Sequence, residues 1–315
     1  MKAMKTKIVI FLSAVLTIIG CNPQPEIDND TMLDGNKLFD LSLYHPENYL
    51  VSAYIPNPTT EQQNTPVIIT AHGYSATTFE WDELRDYADS SKTFYVSQVL
   101  LGGHGRSYTD FKNATWEVWE SSIINEYISL SLKGFKKIYL AGSSTGCPLI
   151  LNMVKTGFFE NYTLPKGIFL IDPIIIPANK QLTLVSLLGP VLGYTTTNMS
   201  DGELGKWYAY RPQESLQQLM DVIDVTRKDL QKGFVLPENT YLKVFKCKED
   251  DNADPVGAVL IYKGLKTSSG GNVDIEMINS NLHVYTRLEG RDGVTTTDKG
   301  LQQSTFKEME SKMLE

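Results

Sequence analysis

Residues 142–146 read Gly-Ser-Ser-Thr-Gly, between the β-branched apolar run 137–142 (KIYLAG) and a helical pattern over 145–156. A serine with glycine at both −2 and +2 can sit in a tight strand-to-helix turn, because residues lacking a Cβ let the two elements approach. Such a turn lifts the hydroxyl above the strand and sets it beside a helix amino terminus, where developing negative charge is favoured. Ser144 has both glycines and Ser143 has neither. Ser144 is therefore the candidate nucleophile, and the chemistry it suits is acyl transfer.

Two further motifs belong near it. His72-Gly73-Tyr74-Ser75 follows the run 66–71, and Gly102-Gly103-His104-Gly105-Arg106-Ser107 follows the run 93–101. The glycines of the second motif mark a tight turn. It also occurs in phosphate-binding loops, but no Lys-Ser/Thr follows and no Gly-x-x-x-x-Gly-Lys exists, which excludes a nucleotide site. No Cys/His cluster has metal-ligand spacing, and no cofactor is expected.

The elements that must position these motifs alternate. Candidate strands are 49–55, 66–71, 93–101, 137–142, 167–171, 240–247 and 281–286. Most lack two-residue alternation, as strands buried on both faces do. Helical patterns lie between them at 116–132, 145–156, 255–265 and 301–314. In the first, Trp116, Trp119, Ile123, Tyr127 and Leu130 form one stripe. The class is α/β, a mostly parallel central sheet with helices on both faces. Residues 173–237 interrupt the rhythm and are expected to form a helical cap over the strand ends, roofing a pocket for a small apolar ester or ligand. A plain helical extension of the core is the alternative.

With that cap, the three motifs resemble the carboxylesterase and monoglyceride lipase branch of the α/β-hydrolase fold, from about residue 49 to residue 286. The resemblance implies half of an oxyanion hole after the third strand, from the N–H of Tyr74, paired with the N–H of Thr145. His72 is then a packed, hydrogen-bonded histidine. It also implies an acid in KCKEDDNADPVGAVLIYKGL, where matching Pro255, Ala258 and Tyr262 selects Asp250. Asp251 and Asp254 are neighbours, the latter better explained as a helix cap.

The family's histidine belongs after the last strand, where RLEGRDGVTTTDKG contains none and Gly290-Arg291-Asp292 stands instead of Gly-His. His283, placed inside the strand 281–286, would lie on the order of 10 Å below the rim and be structural. Arginine cannot act as a base. Three readings follow: a substitute base (His104, Asp292 or Glu289); an Arg291–Asp250 pair in a catalytically degenerate protein that binds a ligand or partner; or a histidine arriving from elsewhere.

The amino terminus adds an address. Lys2, Lys5 and Lys7 precede the apolar stretch Ile8–Ile19, and Ile18-Ile19-Gly20-Cys21 resembles the lipobox of bacterial lipoproteins. The expectation is a leader over 1–20, a lipidated Cys21 with a tether over 21–36, and one exported domain over 37–315, held to a cell-envelope membrane. Removing the three leader lysines from 29 basic residues leaves 26 against 37 acidic, or −11. So acidic a chain should not hold nucleic acid. Cys147 and Cys247 are expected as free thiols.

Overall fold

Parallel pairing joins six of the strands. They are β1 (Val67–Ala71), β2 (Tyr95–Val99), β3 (Ile138–Ser143), β4 (Gly167–Ile171), β8 (Tyr241–Cys247) and β10 (Asp274–Ile278), ordered β10-β8-β4-β3-β1-β2. The short strands β5 (Tyr194–Thr196) and β6 (Tyr210–Pro212) pair antiparallel, and β7 (Phe234–Val235) pairs with β9 (Leu265–Lys266). Every residue of β1, β3 and β4 is buried, which accounts for their unbroken apolar sequences. This computed structural model describes residues 44–180 and 192–315, with residues 41 and 182. The expected leader, Cys21 and tether lie outside the described residues, as does most of 181–191. No helix among the described residues is long and apolar enough to cross a membrane.

The helix Trp116–Leu132 buries Trp119, Ile123, Tyr127 and Leu130 completely, as its stripe requires. The helix Gly146–Lys155 directly follows Ser144. Within the cap region, the helix Gln213–Lys232 drives Leu219, Val222, Ile223 and Leu230 into the main core, so this part is an extension of the core. Residues 192–212 instead border a cavity. Cys147 and Cys247 are buried free thiols.

The expected strand over 49–55 is instead a short helix, Val51–Tyr54. Its first N–H groups find distant acceptors: Val51 donates to Ser97 Oγ at 3.0 Å and Ser52 to Glu126 Oε1 at 3.1 Å. The expected strand over 281–286 is also absent. The last strand is β10, and residues 281–286 form a turn in which Val284 takes a φ of 54°. The Val284 N–H is held by Asp172 Oδ2 at 2.9 Å, which supplies the physical reason.

The chain leaves β1 for the edge strand β2, then returns past β1 to β3. Ligands of open parallel sheets bind where the strand order reverses in this way, beyond the strand carboxyl ends. The pair β1–β3 marks that point, and His72 and Ser144 are the residues just past its ends.

Candidate active site

Ser144 adopts a φ of 48°, the left-handed region that a side chain enters only under compulsion. The compulsion is visible. Its N–H donates to Ile171 O at 3.0 Å, tying it to β4, and its carbonyl accepts from Cys147 and Ile174 at 3.3 Å each. A Cβ on Gly142 would stand 2.7 Å from the Gly146 carbonyl carbon, and one on Gly146 would stand 2.3 Å from Ala71 O. Both glycines of the motif are thus required sterically. Ser143, the rival, is fully buried and bonds to Ala71 O at 3.2 Å and to the Glu80 carboxylate.

Ser144 faces a cavity of about 1030 Å³ whose lining includes Gly73, Tyr74, Thr145, Trp207, His283 and Arg291. Among the described residues, the main-chain N–H groups of Tyr74 and Thr145 have no acceptor. The turn that presents Tyr74 is pinned from two sides. Gly73 donates to Glu80 Oε1 at 2.7 Å, and its carbonyl lies 2.9 Å from His72 Nδ1. His72 Nε2 accepts from the Leu101 N–H at 3.1 Å, so Nδ1 carries the proton. Burial pushes this imidazole down to about 4, and it stays neutral.

Asp250 lies past the end of β8 with its carboxylate buried. Oδ1 accepts from Asn252 N at 2.8 Å and Ala253 N at 3.0 Å, while Oδ2 is 2.8 Å from His283 Nδ1. The same oxygen receives the ammonium of Lys246. Lys246, wholly buried, also reaches Asp172 Oδ1 at 3.1 Å. Burial alone would raise the Asp250 carboxyl, but His283 and Lys246 beside it hold it well below the usual carboxylate range. Two carboxylates and an imidazole converge as metal ligands could, yet the Lys246 ammonium already lies between the carboxylates.

His283 is therefore placed differently from the sequence expectation. It lies in the loop after the last strand, lines the cavity with Ser144, and spends Nδ1 on Asp250. Of the substitutes, Arg291 and Asp292 share that lining and His104 and Glu289 do not. His104 is buried outside the cavity lining, its ring against His72, Phe111 and Trp119. Arg291 does not pair with Asp250; it donates to the carbonyl of His283. Asp292 is exposed at the rim, and Glu289 faces Lys206 at 3.9 Å. Of the cap aromatics, Trp207 lines the cavity. The Tyr208 hydroxyl instead accepts from Arg106 N and donates to the loop carbonyls of Gly103 and Arg106, each about 3 Å away. Sequence reasoning missed Glu80, Asp172 and Lys246.

This architecture is the α/β-hydrolase fold. Solved structures that share it include a metagenome-derived lipolytic enzyme (TM-score 0.63, 15% identity, 79% of this chain and 94% of that one). Monoglyceride lipase from Saccharomyces cerevisiae is similar too (TM-score 0.62, 15% identity, 82% and 88%). So is monoacylglycerol lipase from Paleococcus ferrophilus (TM-score 0.57, 13% identity, 79% and 96%). No protein-family model and no curated protein matches the sequence.

Proposed function

We propose that the chain is a serine hydrolase of carboxylic esters, with Ser144 as nucleophile, His283 as base and Asp250 as the acid that orients it. One observation carries this reading: His283 Nδ1 rests on the Asp250 carboxylate at 2.8 Å while His283 and Ser144 face one cavity. The Nδ1 proton given to Asp250 leaves Nε2 as the basic nitrogen. It takes the proton of Ser144 as the hydroxyl attacks the ester carbonyl. The oxyanion meets the N–H groups of Tyr74 and Thr145, which have no acceptor among the described residues and need not reorganise. The imidazolium then protonates the departing alcohol. Water, activated by the same nitrogen, releases the acid. Ile174, Leu216 and Leu219 in the lining suit an apolar acyl chain. Against the degenerate-protein alternative, the contact of His283 Nδ1 with Asp250 supports a histidine in the role of base.

An alkyl fluorophosphonate should label the wild type and not Ser144→Ala. His283→Ala should lower kcat for p-nitrophenyl butanoate by about a thousandfold or more. Labelling that survives Ser144→Ala, or turnover indifferent to His283→Ala, refutes the assignment. The similar solved lipases support an ester as the bond cleaved. Export and lipid anchoring are part of the same proposal and rest on the leader and Cys21. Metabolic labelling with an alkynyl fatty acid should mark the wild type and spare Cys21→Ser; equal labelling of both would refute the anchor.

A further inference from the structure

We infer that the ester cleaved here carries a second, anionic group, a carboxylate or a phosphate, held by Arg211 and Arg291. The inference rests on the hydrolase reading for its chemistry but on separate side chains for its evidence. Three guanidiniums line the cavity: Arg211, Arg287 and Arg291. Arg287 has an anionic partner, with Nη2 at 2.6 Å from Glu203 and its guanidinium over the Trp207 ring, although its Nε is also buried without a hydrogen-bond partner. The other two have no carboxylate within ion-pair distance among the described residues.

Arg211 touches the face of Tyr74, 5.7 Å from the ring centroid, and its buried Nε has no hydrogen-bond partner. Arg291 spends one nitrogen on the His283 carbonyl, and its Nε is likewise buried without a partner. Burial and the neighbouring Arg287 push the Arg291 guanidinium down to about 10, so its charge is held at a cost. The acids do not cancel this. Glu203 is committed to Arg287, and Glu80 accepts from the Gly73 N–H and the Ser143 hydroxyl through Oε1 without reaching ion-pair distance of either guanidinium. Asp251 and Asp292 are exposed at the rim.

A buried, unpaired guanidinium in a cavity wall is unfavourable until an anion joins it. Its planar fork matches the oxygens of a carboxylate or phosphate, two bonds at a time. A neutral acyl chain would leave both guanidiniums without an anionic partner. The partner that completes the site is an anionic oxygen acid on the substrate itself.

The test compares matched pairs. Mono-p-nitrophenyl glutarate differs from p-nitrophenyl pentanoate by a terminal carboxylate in place of a methyl, and 1-butanoylglycerol 3-phosphate differs from 1-butanoylglycerol by a phosphate. The anionic member of at least one pair should show a kcat/KM at least tenfold higher, mostly through KM. Which pair responds tells carboxylate from phosphate. Arg211→Met should collapse that ratio towards one, and Arg211→Lys should restore part of it, with fluorophosphonate labelling reporting an intact site. Neutral members preferred or equal in both pairs overturn the inference, as does an Arg211→Met protein that labels normally and keeps the full ratio. If nothing is turned over or labelled, the hydrolase reading fails by itself. Calorimetric titration of Ser144→Ala with monoethyl glutarate and with ethyl pentanoate then decides: binding of the first alone, lost on adding Arg211→Met, sustains the anion site, and binding of neither or both equally overturns it.

Discussion

Lys246 sits where its charge acts on the imidazole without touching it. Its ammonium joins Asp172 and Asp250, and both acids reach the His283 turn, Asp250 through Nδ1 and Asp172 through the Val284 N–H. The other charged contact to His283 is Arg291, on its carbonyl. The trio of Asp172, Lys246 and Asp250 carries a formal net charge of −1, which would balance one imidazolium in the proposed mechanism. Lys246→Met leaves −2 there and favours protonation of the ring. In the proposed mechanism a protonated ring cannot accept the Ser144 proton, so the acidic limb of kcat/KM should move towards higher pH. Asp172→Asn should move it the opposite way, and the double variant should return close to the wild-type profile. Unmoved limbs would show that Lys246 serves packing alone. Because the single lysine variant leaves buried acids without a cation, it should also lose about 3–5 kcal/mol of stability, largely recovered in the double variant.

Among the elements, the helix Trp116–Leu132 places two acids on its buried side. Glu120 accepts from Asn152 Nδ2 at 2.8 Å, and burial still pushes its carboxyl up to about 7. Its folded pKa lies above the unfolded one, so the stability it allows is whole below about pH 4.5 and is lost as pH rises through 7. Glu120→Gln should therefore raise the thermal midpoint at pH 8, by up to about 3 kcal/mol in stability, and change little at pH 4. An equal gain at both pH values would exclude ionisation as the cause. Glu126, the second acid, also explains a misreading. YLVSAYI looks like a strand by composition, but Ser97 and Glu126 capture its N–H groups and a helix results. Acceptors 46 and 74 residues away leave no local trace. The segment NLHVYT misleads in the same way. It has the β-branched and aromatic character of a strand, whereas the true edge strand DIEMI is mostly exposed and carries acids at two of its five positions. Ser144 was legible because sterics at Gly142 and Gly146 are local; His283 was not, because Asp172 bends its turn from 112 residues away.

At the scale of the whole molecule, the roof of the cavity is clasped to the loop that follows His283. A Cβ on Gly202 would fall 2.4 Å from Gly290 Cα, Ser200 bonds the Gly290 carbonyl, and Glu203 pairs with Arg287 at 2.6 Å. Gly202→Ala should force these loops apart, at a cost of about 1–3 kcal/mol seen as a lower thermal midpoint, with faster proteolysis near residue 290. An unchanged midpoint and cleavage rate would mean that the loops give way freely. The five sheet strands other than β10 and the turn at Ser144 were foreseeable from sequence, but this clasp was not, since Gly202 and Gly290 are 88 positions apart and bland in isolation. Residues 200–203 grip the arm that follows the imidazole, so any lifting of them must either break that grip or drag the arm along. A guest that enters by lifting residues 200–203 would therefore disturb the loop on which His283 sits.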